Sequence, residues 1–410
     1  MGNKIVLAYS GGLDTTVAIR WLKESYGYDV IALTIDVGNE KDFTVLEERA
    51  RTAGAEKLVV RDAKQLFIEH FVWPALQADA VYEDGYPLAT ALARPLMAYL
   101  MCEVAREESA TAVAHGCTGK GNDQVRFDVS ISALAPHLKI VAPVREWKWS
   151  RDDEIEFARA NDIPIPVTQA NPYSTDENLW GRSIEAGVLE DPWVEPPDDV
   201  WTWTSDPRGA PDEPAYRTIT FERGRPLAID DERLDGVTLV RRLNELAGAH
   251  GVGRVDQVEN RLVGIKSREV YEAPAAVTLL AAHRALEQLT LTREQVRFKQ
   301  RVSQEYADLI YNGRWFTTHH RDLAAYVQST QRHVSGDVRV RLHRGTVTIA
   351  GKRAPDSLYS LEQATYGRED QFDQDAALGF IKIWGLPVRL QAERQLLREA
   401  EGPLAIASPE

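Results

Sequence analysis

A doubly wound, mostly parallel α/β sheet, followed by an α+β domain and a short helical tail, is predicted by three features of the sequence. Short β-branched apolar runs alternate with helix-length segments over residues 1–165, the mark of parallel βαβ units. The first apolar run enters its helix through paired glycines. Beyond a proline-rich stretch, hairpin-like runs and helices mix without that alternation.

The elements follow in order. KIVLAY (4–9) reads as a buried strand, SGGLDTT as a glycine turn, and 14–25 as a helix. DVIALTIDV (29–37) is a second strand, 42–54 a helix closed by Gly54, and KLVV (57–60) a third strand. Residues 88–108 predict a long helix, kinked or begun at Pro95. TAVA (111–114) and KIVA (139–142) complete the strands. IPIPV (163–167) and the Asn171-Pro172 turn mark a boundary. Six prolines fall between Pro192 and Pro214, so that stretch is a loop. Its Trp193, Trp201 and Trp203 either pin the loop to the surface or make a subunit contact. Residues 219–230 and the pair 338–343/346–350 read as hairpins, and 237–249 and 275–290 as helices. The tail, 386–400, is a moderately amphipathic helix: Leu386, Leu390 and Leu397 share a stripe that Glu393 interrupts.

Composition narrows the function. The chain has 410 residues, 44% hydrophobic and 27% charged, as expected of a globular protein of two or three domains. A net charge of −14 disfavours unspecific binding to nucleic acid or anionic lipid. Between Gln331 and Arg353 lie six cations and one acid, but their alternation fits a solvated strand face, and the acidic stretch 362–375 offers a partner. Two isolated cysteines, Cys102 and Cys117, exclude a disulfide framework and fit a reducing, cytoplasmic setting. MGNKIVLAYS lacks a signal-peptide layout, and Val6 breaks a myristoylation motif. Leu88–Val104 carries Arg94, Pro95 and Glu103, so no membrane span is expected. No metal-ligating set stands out: His319-His320 lacks a third ligand, and His283 sits on an apolar helical face.

Two motifs carry chemistry. Strand, then Ser10-Gly11-Gly12-Leu13-Asp14-Thr15-Thr16, then helix, brings close-approach glycines, hydroxyl donors and free helix N–H groups to one place, an anion cradle suited to phosphate. Its spacing fits neither the P-loop nor GxGxxG. The second, HGCTGKGNDQVRF (115–127), reads as a loop holding Lys120, Asn122, Asp123 and Arg126. Such a set suits a zwitterionic amino acid beside a nucleotide: Arg126 for the carboxylate, Asp123 for the ammonium.

AYSGGLDTT resembles the pyrophosphate loop of the N-type ATP pyrophosphatases, which cleave ATP between the α and β phosphates. HGxTGKGNDQVRF, YEDGYPLATALARP (82–95), NPYSTDENLWGRS (171–183) and HGVGRVDQVENRLVGIKSREVYEAP (250–274) resemble the argininosuccinate synthase family within it. The resemblance implies an N-type pyrophosphatase-like nucleotide-binding domain (1–165), a synthetase domain (166–365) and a C-terminal oligomerisation arm (366–410). It implies a homotetramer that ligates L-citrulline and L-aspartate with ATP and Mg²⁺ through a citrullyl-adenylate. Ala8, Tyr9, Ser10, Gly11, Gly12, Leu13, Asp14, Thr15, Thr16, Ile35 and Gly116 would line ATP. Thr118, Asn122 and Asp123 would hold aspartate; Tyr86, Asn122, Arg126, Ser174, Ser183, Glu259 and Tyr271 would hold citrulline. Family members carry a hydroxyl five positions after the tyrosine; here Ala91 stands there, beside Thr90, and neither is assigned. A tRNA thiolase is the nearer rival, but it wants paired cysteines and a basic surface. A non-catalytic nucleotide-binding regulator would not need the amino-acid-binding groups.

Overall fold

Strands β1 (Lys4–Ala8), β2 (Asp29–Asp36), β3 (Lys57–Asp62), β4 (Ala112–Ala114) and β5 (Lys139–Val141) form one parallel sheet in the order β3-β2-β1-β4-β5. Their runs are apolar at consecutive positions because both faces are covered. Ile5 and Leu7 enter one core with Val30 and Ala32; Val6 enters another with Ile31, Leu33 and Val113. The computed structural model describes residues 3–39, 41–164 and 172–396. The expected boundary between 165 and 166, Val167, Asn171 and Leu397 lie outside them.

Helices α1 (Leu13–Tyr26) and α2 (Phe43–Thr52) connect the first strands. After β3, α3 (Lys64–Phe67) and α4 (Trp73–Ala78) flank a π-helical turn, Ile68–Val72. Helix α5 (Ala89–Glu107) neither begins nor stops at Pro95, which lies inside it. The missing N–H costs about 3 kcal/mol in an exposed helix. Here burial of Leu92, Pro95, Leu96 and Met101 along α5 offsets it. Helix α6 (Asp123–Leu134) follows β4, so residues 123–127 are helical where the sequence read as loop. Helices α7 (Pro143–Trp147) and α8 (Arg151–Ala160) follow β5.

Two antiparallel sheets come next. Strands β6 (Ser174–Asn178), β7 (Gly181–Glu185), β11 (Arg254–Asn260) and β12 (Lys266–Glu272) are ordered β11-β12-β7-β6. Strands β8 (Ala215–Glu222), β9 (Arg225–Ile229), β10 (Glu232–Arg233), β13 (Gly336–His343) and β14 (Thr346–Arg353) are ordered β10-β9-β8-β13-β14. In β13, Arg339 and Arg341 alternate with buried Val338, Val340 and Leu342, the pattern of a half-solvated strand. Helices α9 (Gly236–Ala249), α10 (Pro274–Thr290), α11 (Arg293–Tyr311) and α12 (Thr318–Thr330) pack with these sheets. His283 is fully buried and bonds Gln331 at 2.8 Å.

The proline-rich loop is held less by its rings than by one carboxylate. Trp193 is 94% exposed, and Trp201 lies under Arg254 at 4.6 Å. Fully buried Glu272 accepts from the N–H groups of Thr202, Trp203 and Thr204 and from Arg182. Four charge-assisted or backbone bonds compensate its desolvation.

These elements form one compact unit, Met1–Asp356; Ser357–Glu410 form a second. The second holds α13 (Leu361–Ala364), α14 (Gln374–Trp384) and α15 (Leu386–Arg394). The sequence expected only the last, and α15 ends at Arg394 rather than near residue 400. Leu378, Phe380, Ile381, Ile383 and Trp384 on α14 are all more than half exposed.

Candidate active site

β1 has β2 on one side and β4 on the other, so the chain reverses direction of winding there. Open α/β sheets bind ligands at that point, beyond the carboxyl ends of the strands. The loops after β1 and β4 flank it. In the first, Tyr9 is buried and anchored by its N–H to the Leu33 carbonyl at 2.8 Å. Gly11 has φ +83°, and a Cβ there would lie 2.1 Å from Leu46 Cδ2. Arg49 donates to the Gly11 carbonyl. Gly12 precedes α1 without a capping side chain, so the N–H groups of its first turn are not occupied by one. Ser10 and Thr15 hydroxyls meet at 3.1 Å, and Thr16 donates to the Gly12 carbonyl at 2.7 Å. Half-buried Ala8 ends β1, and Leu13 and Asp14 open α1. Ile35, near the end of β2, is buried in the neighbouring core.

Beside Asp14 stands Glu154 of α8, 5% exposed. Burial first, then the Asp14 charge and a hydrogen bond to it, push the Glu154 carboxyl up to about 8.

The second loop abuts the first: a Cβ on Gly116 would lie 2.9 Å from Thr15 Cγ2. His115 is 1% exposed and is fixed from both sides. Its Nδ1 accepts from the Cys117 N–H, which assigns the proton to Nε2, 2.7 Å from Asp128. Arg145 completes the row, 2.8 Å from the other Asp128 oxygen. Burial pushes the Cys117 thiol well up, so it is no thiolate nucleophile. Thr118 and Lys120 are exposed.

Asn122 does not cap α6. Its Nδ2 donates to Tyr311 Oη at 2.8 Å, and its Oδ1 accepts from the Leu262 N–H at 2.9 Å. Asp123 accepts from Arg126 at 2.9 Å and from Arg94 at 2.8 Å. Burial pushes its carboxyl up, but the two guanidinium groups outweigh that and hold it below the usual range. Arg94 also pairs with Asp176. Arg94 was not assigned from the sequence, although it is the single charge in LATALARPLMAYL, a signal that was available.

The remaining groups come from the β11-β12-β7-β6 sheet. Register places Tyr271, Ser183 and Asp176 in one cross-strand row. Tyr86 stacks on Tyr271 at 4.2 Å and accepts from the N–H groups of Thr90 and Ala91. The Thr90 hydroxyl meets Ser183 Oγ at 3.1 Å, so a hydroxyl does reach this place, one residue before Ala91. Glu259, 2% exposed, accepts from Tyr271 at 2.6 Å and Tyr311 at 2.5 Å. Burial outweighs these two phenols and leaves its carboxyl raised. Ser174 is exposed, two residues before Asp176 on β6. Tyr86, Asn122, Asp123, Arg126, Ser183, Glu259 and Tyr271 are thus joined through direct contacts or one shared neighbour; among the described residues no such side-chain bond links Thr118 or Ser174 to them.

Two family models match. The "Arginosuccinate synthase N-terminal HUP domain" covers residues 4–164, and the "Arginosuccinate synthase C-terminal domain" covers 173–391. An argininosuccinate synthase of Dehalococcoides mccartyi is 56% identical over 401 residues, 98% of this chain and 99% of its own. One of Brevibacillus brevis is 57% identical over 391 residues, covering 95% and 93%. One of Listeria monocytogenes is 55% identical over 390 residues, covering 95% and 96%.

Proposed function

Since this chain belongs to the argininosuccinate synthase family, we propose that it joins L-citrulline to L-aspartate with ATP, as a C–N ligase of arginine biosynthesis. The observation that carries this reading is the contact of the two loops at Thr15 and Gly116, which sets an anion cradle against a cluster of amino-acid-binding groups.

The ureido oxygen of citrulline attacks the α-phosphorus of ATP. The bond to the β-phosphate oxygen breaks, and pyrophosphate leaves. The aspartate amine then attacks the adenylated carbon, loses a proton and displaces AMP. Adenylation turns a poor leaving oxygen into a good one. Ala8–Thr16, Ile35 and Gly116 hold the nucleotide, and Mg²⁺ arrives with it as part of the substrate. Preorganised N–H and hydroxyl donors meet the charge growing on pyrophosphate. Thr118, Asn122 and Asp123 take aspartate; Tyr86, Asn122, Arg126, Ser174, Ser183, Glu259 and Tyr271 take citrulline. Positioning, rather than a protein nucleophile, carries the rate. Nucleotide binding is assigned to 1–165 and the amino-acid sites mainly to 166–365.

Incubation with ATP and aspartate should release pyrophosphate only when citrulline is present, and should then yield AMP. ADP and phosphate as products would sink the reading.

The arm (366–410) joins four subunits. An exposed apolar stripe as large as that of α14 marks an interaction surface. Light scattering should give four subunits for the full chain and fewer for one ending at Asp356; an unchanged tetramer would show that the arm is not the assembly element. Among the described residues no helix is long and apolar enough to cross a membrane. A cytoplasmic setting suits the two free cysteines.

A further inference from the structure

We infer that Tyr311, the last residue of α11, is a positioning residue of the substrate site, an inference that rests on the function proposed above. It is fully buried, and it touches three of the groups assigned to substrates. Its hydroxyl accepts from Asn122 Nδ2 at 2.8 Å and donates to Glu259 Oε1 at 2.5 Å. Its carbonyl accepts from Arg126 Nε at 2.8 Å, and its ring lies 4.8 Å beneath the Arg126 guanidinium. Tyr82 stacks on the ring, with centroids 3.6 Å apart and planes 7° off parallel.

A phenol has one proton. Here it goes to Glu259, whose other oxygen already accepts from Tyr271. The Tyr311 oxygen therefore meets Asn122 as an acceptor, and only one orientation of the Asn122 amide satisfies it. In that orientation Oδ1 faces the Leu262 N–H. A flipped amide would set oxygen against oxygen and N–H against N–H. One hydroxyl thus fixes which end of Asn122 faces the site, and its bond favours the charged form of Glu259 against the effect of burial.

The carbonyl does the same for Arg126. A guanidinium has five N–H donors. Nε–H is taken by Tyr311 and one Nη1–H by Asp123. Among the described residues no other partner takes its terminal edge, so one Nη1–H and two Nη2–H remain for a carboxylate. Gly313 allows this approach: at φ +72°, a Cβ there would lie 2.7 Å from Arg126 Cα.

Tyr311→Phe keeps the ring, the stack and the carbonyl, and removes only the hydroxyl. The KM for citrulline should rise about 10- to 100-fold, the scale of one lost hydrogen bond to a charged group. The KM for aspartate should rise less, and that for ATP should stay within about twofold. A pH readout separates positioning from general damage. Glu259 is faced by the hydroxyls of Tyr271 and Tyr311, by Arg126 and Arg261, and, farther off, by Tyr82, Tyr86 and Glu269. The Tyr311 bond favours the carboxylate, so its loss raises the Glu259 pKa. The acidic limb of kcat/KM for citrulline should then move to higher pH. Tyr306→Phe, buried on the same helix and outside the site, controls for packing and should change none of these. Equal loss for all three substrates, or an unmoved acidic limb, overturns the inference. Calorimetry separates it from the function itself: a wild-type chain that binds no citrulline overturns both, whereas wild-type binding matched by Tyr311→Phe overturns this inference alone.

Discussion

Arg126→Lys should lower kcat/KM for citrulline about 10- to 100-fold, the scale of hydrogen bonds to a charged group, while the KM for ATP stays within about twofold. The guanidinium is 4% exposed and does three things at once. It donates to the Tyr311 carbonyl, pairs with Asp123, and lies over the Tyr311 ring. An ammonium is a compact point charge without the planar fork. It satisfies one of these partners and leaves the others buried and unmet. Citrulline then loses the two-point grip on its carboxylate. Steady-state kinetics with each substrate varied in turn decide the matter; uniform loss for ATP, aspartate and citrulline would make Arg126 a structural strut.

Asp123→Asn should raise the KM for aspartate about 10- to 100-fold, through loss of the anion that meets its ammonium. It should also lower Tm. Removing one partner of a fully buried pair costs about 3–5 kcal/mol; the loss here is smaller, because the Asp123 side chain is 26% exposed and asparagine keeps an accepting oxygen. The two cations suffer unequally. Arg94 keeps Asp176, whereas Asp123 is the only carboxylate that bonds Arg126 among the described residues. Side-chain exposures of 12% for Arg94 and 4% for Arg126 leave little room for water to replace the lost charge. Calorimetric melting with aspartate kinetics tests both parts. An unchanged aspartate KM beside a lowered Tm would leave Asp123 a structural anion and remove it from the aspartate site.

The architecture of the proposed nucleotide half was legible because it is local: strand, paired glycines and helix are contiguous over residues 4–26, and each obeys its own rule. In the proposed substrate half, Lys120, Asn122, Asp123 and Arg126 stand out from the residues themselves, and the other groups come only through the resemblance. Helix α6 escaped the periodicity argument because its inward face carries Gln124, Arg126 and Ser130 beside Phe127 and Ile131. Strands β11 and β12 escaped for the same reason: RVDQVEN and KSREVYE are polar, yet Glu259, Arg268, Glu269 and Glu272 are all buried there. Polar residues that point inward erase the apolar rhythm that marks an element, and they do so where a site needs them. Tyr311 carries no local signal at all. It lies 189 residues from Asn122 and 52 from Glu259, and only folding relates them.

That separation also orders the making of the enzyme. The loop after β1 needs β1, β2, α1 and α2, all within residues 4–52 and so translated far ahead of α11. The proposed grip on citrulline rests on Tyr311, so it cannot exist until α11 has been made and has docked on the start of α6. Contacts this far apart in sequence close late, because loop closure precedes any gain from them. On the function proposed above, a growing chain therefore acquires the means to cradle a nucleotide long before it can offer that nucleotide an acceptor. The activating half and the accepting half meet only when translation has passed residue 311.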